Sequence, residues 1–558
     1  MRTQASPVVP RLRGGRLRTI GWLLAGHLAL GVAHVATLPP FEGFDETGHY
    51  SYIQQLADQG VLPRVTTSRM GADVEAYASI APMPYANTPP FARDGAATYE
   101  SFFAEPADRL ARVAALVHDR PETPRRYTPG QATNLLAMHP PLYYLVLTPV
   151  YRATRQLGWG AHLLSLRLAS YLLAWSALVV GVWACALRAG DGFRGTPEWA
   201  MLGIALWPVL VPSWFPEMGR LGNDSLSSLI LALAWLVTVR ADLAGPSVRD
   251  ALTLGLLLGA GCLTKLYFLP VVVAFLGFWL TRAWAANGTR ALAATARRLV
   301  VVPLVVAGIA GWWYLQNWLD YGVALADNEI LMQEQAGGLV GALNRLSPWT
   351  LVRGPLVFVA TLAWPGTWSL VRPPAAVLAP MVSIILLGAG AYVVALRRVP
   401  LAAPAWLSAW LVGWILAAFG YHGVIRAAVT GQAQAGHYLH FLAVAFGVAL
   451  GLGLGARWHR PGFRWVVAGL TAYALLFAVA MSSAQVLLFS GWLFKAGVTN
   501  TYRLPKTSSL LGLPDALARL RVLAYPGLGA GAWVLGGFLV LQGVRRVWTD
   551  APGAPTPT

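Results

Sequence analysis

Long apolar runs, interrupted at intervals by short arginine clusters, restrict this chain more than any single motif does. Stretches such as 299–315 and 441–456 are continuously apolar and lack the alternation of a barrel strand. Helices are therefore expected, because a helix satisfies its own backbone hydrogen bonds in lipid. At 56% hydrophobic and 12% charged residues, with a mean hydropathy of +0.53, the chain is too apolar for a soluble globule. The fold class expected is an all-α polytopic membrane protein.

A formal charge of +18 would ordinarily raise the question of nucleic acid. Here the arginines fall between apolar runs, at 11, 13, 16 and 18, at 297 and 298, at 397 and 398, at 457, 460 and 464, and at 545 and 546. That distribution is the positive-inside signature, so no nucleic-acid partner is expected. Reading the runs against the clusters predicts about twelve spans of membrane length. They fall near 18–38, 163–186, 198–213, 224–241, 251–264, 267–284, 299–318, 376–395, 402–420, 438–455, 464–484 and 525–544. Both termini then face the cytoplasm. Residues 1–550 form one membrane domain with a disordered tail over 551–558, a large external loop over 40–162, and further external loops over 319–375, 421–437 and 485–524. The first run ends in Leu38-Pro39-Pro40 without a small-x-small site, which predicts an uncleaved signal anchor. The apolar stretch 140–151 is too short to cross and is expected to lie on the outer membrane surface, as is 356–371 with Trp364 and Trp368 as interfacial anchors. The two cysteines, Cys185 and Cys262, sit inside apolar runs and predict neither a disulfide nor a thiolate metal site.

Ionisable residues gather in the segments predicted to be external. Glu42, Asp45, Glu46 and His49 crowd the exit of the first run, and the spacing of His49, Tyr52, Ile53 and Leu56 puts Asp45 at a helix N-terminus with His49 one turn on. Asp45 or Thr47 could simply cap that helix. A carboxylate at a membrane face is also where a base would stand. His139, just before Pro140-Pro141, precedes a second helix start, and an imidazole beside a helix N-terminus suits a phosphate. Glu217, Arg220, Asn223, Asp224 and Ser225 share a hairpin, where they either pair with one another or hold a ligand. Lys265 is one of three lysines, against 42 basic residues in all. It stands at the outer end of a run, where it either snorkels or meets a phosphate. Arg426, with Gln432, Gln434, His437 and Tyr438, repeats that pattern more weakly. The chain has no Walker loop, no His-Glu-x-x-His and no Gly-x-Ser-x-Gly.

Taken together, 44–49 with 56–63, 137–144, 223–226, 263–265, 312–322 and 436–439 resemble the GT-C class of polyprenyl-phosphate-sugar-dependent glycosyltransferases. That class includes the protein O-mannosyltransferases and the aminoarabinose transferase of lipid A, and the resemblance is closest to a related, largely uncharacterised group of bacterial membrane proteins. It implies a GT-C-like fold in the bacterial cytoplasmic membrane and an inverting sugar transfer on the external, periplasmic face. The donor would be a polyprenyl-phosphate sugar and the acceptor a glycan, lipid or protein. No cofactor or metal is implied beyond the donor itself. Carried over, Asp45 is the candidate base with Glu46 second, and Lys265 is the candidate phosphate ligand, helped by Arg220 or Arg426. Gly436-His437-Tyr438 departs from the pattern by placing histidine where arginine is expected. A transporter or flippase for a lipid-linked or anionic solute, or a non-catalytic subunit of an envelope-polysaccharide assembly, are the alternative classes. The first of these predicts internal repeats, and none is visible in the sequence.

Overall fold

The computed structural model describes residues 14–82, 97–187, 196–241, 245–325, 335–367, 373–399, 403, 405–496, 501–503 and 512–549. Helices dominate. Among the described residues, nine are long and apolar enough to cross a membrane, or ten if the pair Gly338–Arg345 and Pro348–Ala363, bent by 102°, counts as one span. Three further apolar helices, Thr196–Leu210, Asp224–Arg240 and Val248–Cys262, are shorter. Every predicted span corresponds to a helix, although these three fall below the length of an ordinary crossing.

The centre of the bundle is built from Trp159–Ala186, Thr196–Leu210, Asp224–Arg240 and Ala443–Arg457, whose side chains are largely buried. Small residues bring these helices close. A β-carbon on Gly203 would collide with the backbone of Gly447 and Gly451, so this crossing is available only to glycine. The first helix, Gly14–Thr37, packs in the same way along the last, Pro526–Thr549.

Between Thr37 and Trp159 the chain forms a compact layer at one end of the bundle. It contains the helices Glu46–Gln59, Ala72–Ile80, Tyr99–Phe103, Ala107–His118 and Leu142–Thr154, with one antiparallel pair, Arg69–Gly71 against Pro129–Thr133. Backbone bonds tie the layer to the body: Leu142 donates to the Leu263 carbonyl at 2.9 Å, and Val65 donates to the Tyr321 hydroxyl at 3.2 Å. Arg64 pairs with Asp320 beside the second of these.

Several sequence expectations shift. The helix expected on the membrane surface over 140–151 is Leu142–Thr154, and Tyr143, Tyr144, Leu147 and Tyr151 pack inward against neighbouring helices. It is therefore a covering layer, with only Leu145 and Val146 left as large exposed apolar side chains. The stretch 356–371 begins earlier, as Pro348–Ala363, and Trp364 is no lipid anchor: it is buried, with its ring 6.1 Å from Phe44. Trp368 lies outside the described residues, as do Arg11, Arg13 and the tail after 549. Helices also run past the predicted loop boundaries, to Thr430 in one case and from Trp159 in another, because polar residues extend a helix beyond the apolar slab at little cost.

Sidedness is testable directly, since Cys185 and Cys262 are both buried. A cysteine placed at exposed Glu122 should react with an impermeant maleimide in intact cells, and one at exposed Arg290 only after permeabilisation. The reverse pattern would invert the predicted orientation.

Candidate active site

The loop leaving the first helix is held by a buried ion pair. Glu46 opens the helix Glu46–Gln59 and points back into the bundle toward Arg167, in the helix Trp159–Ala186. Arg167 donates from Nε to one Glu46 oxygen at 2.8 Å and from a terminal nitrogen to the other at 2.5 Å. Its remaining donors reach the carbonyls of Leu38 and Pro39 at 2.7 and 2.8 Å. The Glu46 carboxylate also accepts from the Leu221 and Gly43 amides at 3.0 and 3.1 Å. All of its lone pairs are thereby occupied. Gly43 fits here because a β-carbon would press on both Glu46 and Arg220.

Asp45 behaves differently. Its backbone is left-handed, with φ 59° and ψ 11°, and its side chain makes no capping bond to the helix that follows. The capping interpretation therefore does not hold for Asp45. Among the described residues its half-buried carboxylate has no hydrogen-bond or ion-pair partner. Burial pushes this carboxyl above its ordinary value; Arg220 and Lys265 pull it back, while Glu217 and Asp224 push it further up. The third acid of the loop, Glu42, is buried and accepts from the Tyr99 hydroxyl at 2.6 Å and from Thr367 at 2.9 Å.

Beside Asp45 lies a chain of charges. Arg220 donates to the Phe44 carbonyl at 3.1 Å, pairs with Glu217, and reaches Asp224 at 3.3 Å. The other oxygen of Asp224 binds Lys265 Nζ at 2.5 Å. The hairpin's pairing among its own residues is thus observed. Lys265 does not snorkel: it is 6% exposed and lies over the rings of Tyr267 and Tyr438, 4.9 and 5.3 Å from their centroids. Asn223 supports this corner by donating to the Thr264 carbonyl at 3.1 Å. The His437 ring stacks on Phe44 at 5.1 Å. His139 lies against His49 at 6.0 Å, and His49 meets the Tyr144 hydroxyl at 3.0 Å through Nδ1. Arg426 stands further out, bonded to Gln432 at 3.3 Å.

Most of the residues singled out from sequence therefore meet at one end of the bundle. Arg167, Tyr143 and Tyr144 were missed. Arg167 had a signal: an arginine inside an apolar run must find an internal partner. Tyr143 had none, although its hydroxyl accepts from the Gly222 amide at 2.9 Å and bonds Ser170 at 3.0 Å. Among the described residues no cluster of three or more histidine, cysteine, aspartate or glutamate side chains is arranged to hold a metal ion.

The fold and site define an all-α, multi-pass membrane protein with an acidic and basic cluster at one end of its helices. The sequence matches no protein-family model and no curated protein. In structure it is similar to ArnT from Cupriavidus metallidurans bound to undecaprenyl phosphate, with 16% identity, 95% of this chain and 78% of that one covered, and a TM-score of 0.44. It is also similar to the apo state of that protein, at 15% identity, 94% and 77% coverage and a TM-score of 0.41. The apo oligosaccharyltransferase of Archaeoglobus fulgidus is similar at 13% identity, 94% and 56% coverage and a TM-score of 0.40.

The two adjacent acids should respond in opposite ways to neutralisation. Glu46→Gln breaks a buried ion pair and should cost about 3–5 kcal/mol, seen as a lower melting temperature in detergent. Asp45→Asn keeps a residue that tolerates positive φ and removes a charge that burial disfavours. A carboxyl whose folded pKa is raised weakens the fold when ionised, an effect full above the folded pKa and absent below the unfolded one. Asp45→Asn should therefore melt at or above wild type near neutrality, with the difference vanishing in acid. Equal destabilisation by both substitutions would contradict this division of roles.

Proposed function

We propose that the protein is a GT-C-type membrane glycosyltransferase that transfers a sugar from a polyprenyl-phosphate donor to an acceptor hydroxyl on the external face of the bacterial cytoplasmic membrane. One observation carries the reading: of three acids at the mouth of the first helix, Glu42 and Glu46 are bonded, and Asp45 alone presents a carboxylate without a partner among the described residues.

In this reading Asp45 takes the proton of the acceptor hydroxyl. The acceptor oxygen bonds to the anomeric carbon from the face opposite the phosphate, and the carbon–oxygen bond to phosphate breaks with its electron pair retained by the leaving group. The phosphodiester gains one negative charge as Asp45 is neutralised, so the charge of the enclosed site is unchanged across the step. Phosphate is already a competent leaving group, so the protein supplies a base, directed donors and alignment. Arg220 and Lys265 carry two positive charges against two negative ones on Glu217 and Asp224. Phosphate binding here therefore rests on oriented N–H groups, with Lys265 held by Asp224 and its other ammonium hydrogens available to a ligand.

The decisive experiment compares, by mass spectrometry, membrane lipids and surface glycans of cells with and without the gene. No difference in any glycosylated product would remove the proposal. Given a product, Asp45→Asn should lower its formation about a hundredfold to ten-thousandfold. Because the base must be ionised and burial raises its pKa, activity should fall with acid at a pH above the ordinary carboxylate range.

Lys265 is tested by a charge-matched pair. Lys265→Met alone leaves Asp224 short of a partner and should destabilise the protein; adding Asp224→Asn should restore the melting temperature. If Lys265 holds the donor phosphate, the double variant stays slow with a raised donor requirement. Restored transfer would reduce Lys265 to a structural role.

A further inference from the structure

One helical turn after Asp45, His49 is buried, and only one of its ring nitrogens has a partner. Nδ1 lies 3.0 Å from the Tyr144 hydroxyl, and Nε2 has no bond to any described residue. Which nitrogen carries the proton follows from Tyr144. Its hydroxyl is fully buried and has no acceptor among the described residues other than His49. A buried hydroxyl that keeps its hydrogen unpaired is costly, so the phenol donates to Nδ1. Nδ1 is then the acceptor, and the ring proton resides on Nε2.

The surroundings hold this arrangement. Tyr144 is clamped by Tyr52, whose ring stacks on it at 3.6 Å between centroids, and the Tyr52 hydroxyl donates to the His139 carbonyl at 3.2 Å. Burial, with the charges of Arg220, His139 and Lys265, keeps the imidazole well below its ordinary pKa, and burial likewise keeps the phenol protonated. The His49 amide donates to the Asp45 carbonyl at 3.0 Å, which sets His49 one helical turn after the acid.

We propose that Tyr144 is a positioning residue that locks His49 as a neutral imidazole with its hydrogen on Nε2, presenting one directed donor to a substrate oxygen beside Asp45. On the reading of the site as a sugar-transfer centre, His49 then binds and orients a hydroxyl, ring or phosphate oxygen. It cannot serve as a second base, because Nδ1 is taken by the Tyr144 hydroxyl and Nε2 already holds its proton. The site accordingly contains one base and one neutral donor.

The test has two arms that fail independently. In the first, full-length protein labelled with 15N-histidine is studied by NMR in lipid nanodiscs, without ligand. The signal of His49, one of ten histidines, is assigned by its loss in His49→Gln. It should show a protonated Nε2 and an unprotonated Nδ1 from pH 6 to 8, and Tyr144→Phe should convert it to a mixture or to the other tautomer. A cationic ring, a proton on Nδ1, or an unchanged signal in Tyr144→Phe overturns the proposal whether or not the protein transfers sugar. In the second arm, variants are scored by the glycosylated product that distinguishes cells with and without the gene. His49→Gln places an amide donor near the Nε2 position and should retain activity within about tenfold, whereas His49→Leu should lose more. Tyr144→Phe should slow formation roughly five- to tenfold, about the worth of one neutral hydrogen bond, and this cost should disappear in the His49→Gln background. An equal cost in both backgrounds would make Tyr144 a packing residue only. If wild type yields no product, the sugar-transfer reading fails while the first arm still decides the tautomer.

Discussion

The buried pair of Glu46 with Arg167 is the constraint on which the arrangement of this end of the molecule depends. A charge among apolar helices is expensive unless it is both paired and fully hydrogen-bonded. Arg167 meets that condition only by drawing in the first loop, because its partners are Glu46 and the carbonyls of Leu38 and Pro39. The loop is thus pinned at two points around Gly43 and Phe44. That geometry places the next residue, Asp45, in a left-handed backbone with no side-chain bond to the helix it precedes.

The same logic spreads outward through Arg220. Its guanidinium binds the Phe44 carbonyl on one side and Glu217 and Asp224 on the other, and Asp224 passes the connection to Lys265. Three chain segments far apart in sequence are thereby joined by charge-assisted bonds in a low-dielectric corner, where each is worth more than at a surface. Such a network resists rearrangement. It leaves the Asp45 carboxylate and His49 Nε2, which have no bond among the described residues, in defined positions, and preorganised groups of this kind are what the proposed transfer would require.

Adjacent residues of the same chemical type have separated into a carboxylate bonded inside the bundle and one without a bond among the described residues. Asp45 and Glu46 are neighbours with nearly equal intrinsic acidity. One is consumed by a buried arginine and the other is left open. Lys265 shows the converse: its rarity in an arginine-dominated chain drew attention to it, yet its ammonium is enclosed by Asp224, Tyr267 and Tyr438.

Hydropathy alone determined the helical class and the approximate place of the apolar helices. These are local properties, because membrane thickness sets run length. The crowding of Glu42, Asp45, Glu46 and His49 was legible for the same reason. Which acid remains open was not, since that is decided by Arg167, 121 positions from Glu46 in the chain and inside a different helix. Trp364 read as a lipid anchor and Tyr144 as part of a surface helix, yet both are buried against the loop that follows the first helix. Partner choice among buried polar groups is settled by three-dimensional proximity and by the cost of leaving any of them unpaired. Neither is encoded in the order of residues along a single segment, so only the tertiary structure assigned them.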